Sequence, residues 1–428
     1  MKHSYWIPTN RDIKKCLESY LEEIEYCQKK YQMNIPVFIL DSGNEKCEKN
    51  NLETIIKLRK ERPEVVIYYI PFEVQKKLIG HILEVSGLSK EKYQDCFIPE
   101  RVNYGAVMNK IYLLAAALQY DVIHRRDSDT VLQENCPYPL EIEIENIGKI
   151  NSNFDSDRKV AIVGSGYVGE WNLDIKEFVI GNNALFCTFL SCLNIPDEGH
   201  EDFMKETYED CEKYFKEDVF QYVMGEETKM PEAGNFSIYR IFKDFPCLPA
   251  DYTLGSDYFT FKMAIALEYP VIFHERRVFH TYHEGRKSAE NMQCYIKSLS
   301  KFCDHSPVYW YFVNQVALPL MQEKKNKGTE FSNWDMKSIL NKFGNGIIDL
   351  EDVVIETRKD NLQRFAREFL SVKYPKEAEQ IEQDVDYIIK ECKADYVLHG
   401  ELLKSWKQVI FAAEGENKFV EEVCNECK

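Results

Sequence analysis

Residues 103–129 read NYGAVMNKIYLLAAALQYDVIHRRDSD, and this stretch decides the fold class. An asparagine precedes a long run rich in Ala, Leu and Ile. That pattern predicts a helix over 102–120 entered after Asn103, whose side chain suits the orphan N–H groups of a first turn. Asp121 to His124 then reads as a buried strand, followed by the polar cluster Arg125-Arg126-Asp127-Ser128-Asp129. A helix feeding a strand that ends in polar residues is part of a βαβ unit, and such units gather ligands at the carboxyl ends of their strands.

The chain before residue 103 repeats the pattern. Tyr5 to Pro8 is a short apolar start. Ile13, Cys16, Leu17, Tyr20, Leu21, Ile24 and Cys27 recur at helical spacing, with Thr9 or Asn10 as the expected N-cap. Val37 to Leu40 is a continuous apolar run closed by the turn Asp41-Ser42-Gly43, as a buried strand would be. Leu52, Ile55, Ile56 and Leu58 mark another helix, and Val65 to Ile70 a third strand. Alternation of this kind predicts an α/β fold, a mostly parallel sheet covered by helices. Thr9-Asn10-Arg11, Asp41-Ser42-Gly43 and Arg126 through Asp129 should then meet at one edge of the sheet.

Downstream, 141–159 is polar and reads as a loop. Strand signals return at Val160 to Val163, Phe178 to Ile180 and Val271 to Phe273, and the acidic, aromatic stretch 195–235 reads as helix and loop. From about 300 onward amphipathic stretches such as DNLQRFAREFL, KEAEQIEQDVDYIIKEC and LLKSWKQVIFAAEG dominate. The expected division is a catalytic domain over 1–290 and a mainly α-helical region over 291–428, the latter for acceptor binding or homodimer formation.

Composition limits the function classes. The 428 residues are 44% hydrophobic, enough for a sizeable core, and the formal charge is −17. Such an acidic chain argues against a broad phosphate-tracking surface, so no nucleic-acid partner is expected. The 14 cysteines are irregularly spaced, and the pair Cys424/Cys427 lacks two further zinc ligands nearby, so it reads as a frayed tail with free thiols. The N-terminus shows no apolar signal segment, and the longest apolar stretch, Ile111 to Leu118, is too short to span a bilayer. A cytoplasmic protein with reduced thiols, and no integral membrane segment, is expected.

Three Asp-x-Asp pairs occur: Asp127/Asp129, Asp155/Asp157 and Asp384/Asp386. On a helix such a pair splays apart, which sets Asp384/Asp386 aside, and Asp155/Asp157 follows no strand. At a strand end a turn can aim both carboxylates into one cleft, so Asp127/Asp129 is the expected metal site. Carboxylate oxygens bind hard divalent cations, and such a cation neutralises a departing diphosphate. Arg125, Arg126 and Lys110 add positive charge nearby, with Asn109 and Ser128 placed on the same donor side.

Taken in order, these pieces resemble the GT-A (Rossmann-like) glycosyltransferases, especially the inverting group related to family 2, over roughly residues 4–285. IPTNRD, with Pro8, Thr9, Asn10 and Arg11, resembles the segment that contacts the nucleoside. LDSG, with Asp41, resembles the acid that binds base or ribose. GNNALF, with Asn182 and Asn183, resembles the strand bordering the donor sugar. In LGSDYFTFKMAIALEYPVIFHERRVFHTYH, Asp257 falls where the family carries its general base, and His280 where it often has a histidine near the metal. The resemblance implies transfer of a sugar from a nucleotide donor, UDP-type favoured, to an acceptor of unknown kind, with Mn2+ or Mg2+ and inversion. A weaker resemblance, through PTNR, is to reversibly glycosylated polypeptides.

The chain departs from the family at Ser256-Asp257, where Glu-Asp is usual, and Glu201-Asp202 is the alternative acid pair. His283 is a weaker ligand candidate. GSGYVG (164–169) lacks the following helix of a dinucleotide fingerprint and reads as a loop bordering the acceptor site, with Trp171 as a stacking platform. A nucleotidyltransferase, a sugar-nucleotide mutase and a non-catalytic docking protein are the competing readings.

Overall fold

The computed structural model describes residues 1–154, 158–169, 183–193, 195, 197, 200–201, 218–223, 231–281, 288–328, 335–349 and 355–428. In chain order the first half runs β1 (His3–Thr9), α1 (Lys14–Tyr31), β2 (Val37–Asp41), α2 (Glu45–Glu61), β3 (Ile67–Pro71), α3 (Phe72–Ser86), a single turn α4 (Lys90–Tyr93), α5 (Tyr104–Ala117) and β4 (Val122–Arg126). Then follow β5 (Thr130–Val131), α6 (Pro139–Asn146), β6 (Ile162–Gly164), β7 (Tyr167–Gly169), α7 (Asn183–Cys192), β8 (Phe220–Val223), β9 (Asn235–Tyr239), α8 (Tyr258–Ala266), β10 (Val271–His274) and β11 (Val278–His280). Beyond β11 the longer elements are helices: α9 (Ala289–Phe312), α10 (Leu318–Asn326), α11 (Met336–Asp349), α12 (Ile355–Arg364), α13 (Pro375–Gly415) and α14 (Asn417–Asn425).

The main sheet has the order β3-β2-β1-β4-β9-β6-β10-β8. β3, β2, β1 and β4 are parallel; β9 runs antiparallel between β4 and β6; β10 is parallel to β6, and β8 closes the far edge antiparallel. Successive side chains alternate across it. Tyr5, Ile7, Val37 and Ile39 join a core with Leu17, Leu21, Ile24 and Ile55 of α1 and α2, while Trp6, Phe38 and Leu40 join one with Leu78, Ile82 and Ile111 of α3 and α5. A second sheet, β5-β11-β7, stands at the carboxyl end of β4. The fold class is the expected α/β one: a mostly parallel sheet with helices on both faces, followed by a mainly α-helical C-terminal region.

Several local expectations are corrected. α1 begins at Lys14, not after Thr9 or Asn10: β1 runs through Thr9, and Asn51 Oδ1 and Asp12 Oδ1 accept the Ile13 and Lys14 N–H groups at 3.1 and 2.9 Å. On α2 the buried positions are Asn51, Ile55 and Leu58, leaving Leu52 and Ile56 exposed. β4 continues two residues past His124, so Arg125 and Arg126 belong to the strand and face opposite ways. The expected loop at 141 is helix α6, whose Leu140, Ile142 and Ile144 are buried. Phe178 to Ile180 lies outside the described residues.

The C-terminal amphipathic stretches from 376 onward form one helix, α13, which packs on α3 and α5. Its Trp406 is fully buried, stacks on Phe97 and donates Nε1–H to the Phe242 carbonyl at 3.1 Å. The tail is not frayed. Cys424 is buried, and the Cys427 carbonyl accepts from Tyr69 N at 3.0 Å and Arg59 Nη2 at 2.7 Å, covering the open edge of β3. Among the described residues no helix is long and apolar enough to cross a membrane.

Beneath β4 lies a buried polar network. Arg126 Nη2 meets Glu143 Oε1 at 2.9 Å, and His3 Nδ1 meets His124 Nε2 at 2.9 Å. Burial pulls His3 down to about 3 and His274 down to about 4. For Glu143 burial pushes upward, but Arg126, His124 and His274 together outweigh it and the carboxyl falls to about 2. Each of these groups binds protons more readily in the unfolded chain. Stability should therefore hold above pH 7, fall between about pH 6.5 and 4 as the histidines protonate on unfolding, and fall further as Glu143 titrates. Urea denaturation from pH 8 to 4 checks this: a loss of roughly 3 kcal/mol or more is expected at the acid end, and a flat profile contradicts it.

Candidate functional site

Three strand ends meet. The Ser42 N–H donates to the Thr9 carbonyl at 2.8 Å, joining the ends of β1 and β2. Thr9 Oγ1 accepts from Arg11 N at 3.1 Å, which turns the chain so that Arg11 reaches across to β4. There Arg11 Nη1 lies 2.5 Å from Asp129 Oδ2.

The Asp127–Asp129 turn is held on all sides. Asp127 N–H donates to the Gly234 carbonyl at 3.1 Å, and the Thr130 hydroxyl donates to the Asp127 carbonyl at 2.7 Å. Thr281 N and Oγ1 both donate to the Asp129 carbonyl, at 2.7 and 2.6 Å. The second sheet supplies two side chains: β11 pairs His280 with Thr130 on one side and Gly169 on the other. Tyr167 donates its hydroxyl to Asp127 Oδ2 at 2.8 Å, His280 stacks on the Tyr167 ring, and His280 Nε2 stands 3.6 Å from Asp129 Oδ2.

Arg125 ties this turn to the next acid. Its Nη2 donates to Asp127 Oδ1 at 2.8 Å and its Nη1 to Asp257 Oδ2 at 3.2 Å and to the Ala233 carbonyl. Asp257 stands at the start of α8 yet caps nothing; its carboxylate turns to Arg125 instead. The loop that carries it is fixed to α5, since Gly105 N–H donates to Ser256 Oγ at 3.1 Å and a Cβ at Gly105 would stand 1.8 Å from the Leu248 carbonyl oxygen. The two carboxyls are driven apart. Burial raises Asp257, opposed by Arg125 and reinforced by the charge of Asp127. Burial also works to raise Asp127, but Arg125, the Tyr167 hydroxyl, His280 and Arg11 together hold it below the ordinary range. One acid is thus kept ionised and the other shifted toward proton exchange.

Of the expected residues, the fold brings Arg11, Asp127, Asp129, Asp257 and His280 together, with half-buried Ser128 in the turn. Pro8 and Thr9 end β1, and Asn10 is exposed beside Arg11. Asp41 is fully buried, its oxygens taken by Gly43 N, Asn51 and the Tyr69 hydroxyl. Three residues point elsewhere. Arg126 is buried on the opposite side with Glu143 and Glu23. Asn109 bonds the backbone of Cys247 and Cys96. Lys110, which burial alone pulls down to about 7, donates to Gln75. Asn182, Trp171, Asp155, Asp157, Asp202 and His283 lie outside the described residues, and Asn183 is described only as the first residue of the α7 backbone. Asp384 and Asp386 lie on α13, as their helical pattern implied.

The donor set of Asp127, Asp129 and His280 is chemically suited to a hard divalent cation. The three donor atoms do not close into one cluster: Arg125 and Tyr167 hold Asp127, and Arg11 and His280 hold Asp129. Sequence reading missed Tyr167 and Gly234. A Cβ on Gly234 would stand 2.2 Å from Asp127 Cγ and 2.1 Å from the Tyr167 hydroxyl oxygen, so this glycine makes the room in which Asp127 sits. Its signal was the Ala-Gly-Asn turn just before a strand.

Fold and site together define an α/β protein with an Asp-x-Asp turn and a buried third acid at the strand ends. The chain belongs to the family described as "Family of unknown function (DUF6271)", which matches residues 4–421. No curated protein matches the sequence. Among solved structures it is distantly similar to the mannosyltransferase PcManGT from Pyrobaculum calidifontis in complex with GDP-Man and Mn2+, at 11% identity over 93% of this chain and 87% of that one, TM-score 0.40. It is similar also to Mycobacterium tuberculosis glucosyl-3-phosphoglycerate synthase, at 13% identity over 73% and 80%, TM-score 0.37. A third is mannosyl-3-phosphoglycerate synthase from Rubrobacter xylanophilus, at 10% identity over 78% and 79%, TM-score 0.37.

Gly234→Ala tests the packing of the turn. Thermal unfolding should show a loss of about 1–3 kcal/mol, while Gly415→Ala, with nothing within 4 Å of its Cβ position, should be neutral or slightly stabilising. Equal stability of the two variants contradicts the arrangement.

Proposed function

We propose that the chain is a glycosyltransferase that moves a sugar from a nucleoside diphosphate sugar, UDP-type favoured, to an acceptor hydroxyl or amine. The observation that carries this reading is the pair of ion pairs by which Arg125 joins the Asp127–Asp129 turn to the buried Asp257. The order of sequence pieces resembling the GT-A enzymes supports it independently.

In this reading Asp127, Asp129 and His280 would hold Mn2+ or Mg2+, which would supply positive charge against the departing diphosphate. Arg11 releases Asp129 and turns its guanidinium to a donor phosphate, a geometry that planar guanidinium groups suit. Asp257 accepts the proton of the attacking acceptor group, and its burial-raised pKa brings it nearer the working pH. A base on the face opposite the leaving diphosphate gives inversion. Arg125 keeps Asp257 ionised enough to act while buried.

Calorimetry with UDP, GDP and their sugar conjugates, with and without Mn2+, tests the donor site. Cation-dependent binding of one nucleotide, lost in Asp129→Ala, is expected; a folded protein that binds none of them rejects the reading. With the acceptor in hand, Asp257→Asn should lower kcat by roughly 100- to 10,000-fold while leaving donor binding in place. The acid limb of kcat/KM should lie above the ordinary carboxylate range, because the raised pKa demands higher pH for ionisation. In Arg125→Met it should move higher still.

A further inference from the structure

Away from this cleft, α9 and α13 bring three metal-ligating side chains together inside the helical region. Cys392 and Asp395 stand three residues apart on α13, a spacing that puts both on one helix face. His305 faces them from α9. One ligand atom from each lies within 4.8 Å of the other two. His305 and Cys392 are fully buried and Asp395 is partly exposed, with 14% of its side chain open.

We propose that His305, Cys392 and Asp395 bind a divalent transition cation of the Zn2+ class, which clamps α9 to α13. An imidazole, a thiolate and a carboxylate form a donor set that zinc favours, and the soft thiolate selects zinc over Mg2+ and Mn2+. Among the described residues His305 Nδ1 is buried without a hydrogen-bond partner, and the bonds of Asp395 fall on one oxygen, Oδ2, which meets Lys301 Nζ at 2.7 Å and His305 Nε2 at 3.3 Å.

Lys301 does not block the site. Its ammonium also donates to the Asp251 carbonyl at 2.8 Å, a second anchor that leaves it beside the Asp395 carboxylate as a hydrogen-bond partner of a ligand. The adjacent Asp304 is neutralised by Arg358, with bonds of 2.9 and 2.7 Å. On binding, the Cys392 thiol loses its proton to solvent and its sulfur bonds the cation. Thiolate and Asp395 carboxylate then balance the two positive charges. The partly exposed Asp395 is the side from which cation and a completing water enter. The cation would hold the helical region in place over the core that carries Asp257.

The experiment uses the full chain carrying Asp129→Ala, so that a cation at the nucleotide site is not counted. Plasma mass spectrometry of protein purified without chelator should find one zinc per chain, and none after Cys392→Ser. Cobalt replacement should give a thiolate-to-cobalt charge-transfer band that Cys392→Ser abolishes, which separates it from any cation beside Cys16, whose sulfur lies 3.6 Å from the Asp127 carbonyl. If Cys392→Ser fails to fold, Asp395→Asn, nearer the surface, should fold and bind zinc at least tenfold more weakly. A folded parent chain with no zinc, and no such band on cobalt titration, overturns the proposal. That result leaves the glycosyltransferase reading untouched.

Discussion

A guanidinium taken out of water must be paired, and Arg125 is paired twice. Its fork reaches Asp127, in the turn that follows its own strand, and Asp257 from a loop more than a hundred residues later. Among the described residues neither carboxylate is hydrogen-bonded by another arginine, so the link between the two acids rests on this side chain. It also sets the chemistry. The same cation lowers one acid and restrains the rise of the other, giving two carboxyls with different proton affinities a short distance apart. Tuning of this kind separates a ligand-binding carboxylate from a proton-accepting one.

The neighbouring arginine is buried to a different end. Because strand side chains alternate, Arg126 faces the other way, into a network with Glu143, Glu23 and the Tyr5 and Tyr20 rings. That network supports the turn from behind: Tyr20 meets the Thr130 hydroxyl at 2.5 Å, and that hydroxyl holds the Asp127 carbonyl. The small sheet β5-β11-β7 grips the same turn from the front. An Asp-x-Asp pair on a loop would lose its geometry to backbone motion; here it is fixed by a strand, a second sheet and a glycine-lined contact.

The helical region is built into this frame rather than appended to it. α13 lies on α3 and α5, the tail pairs with the edge of β3, and Lys301 on α9 holds the loop at Asp251 that leads to Asp257. Helices that cover one face of a sheet and fasten the loop carrying an acid can orient that acid without touching a ligand.

The local patterns fixed much of the frame. Asn103 before an apolar run, the short apolar strands and the polar triplets behind them determined the α/β alternation, because periodicity and capping are properties of adjacent residues. They also determined that Asp127/Asp129 follows a strand. What neighbours in sequence do not encode is which side of a strand faces ligand. One residue of difference in the end of β4 sends Arg125 to the cleft and Arg126 to the core, so the two were not separable as letters. The burial of Asn109, Lys110 and Asp41, and the roles of Tyr167 and Gly234, arise from contacts between segments distant in the chain. Those contacts exist only once the sheet closes and low-dielectric surroundings force each buried charge to find a partner. Local order came from the sequence read in short windows; the partnerships that make a site came from tertiary packing.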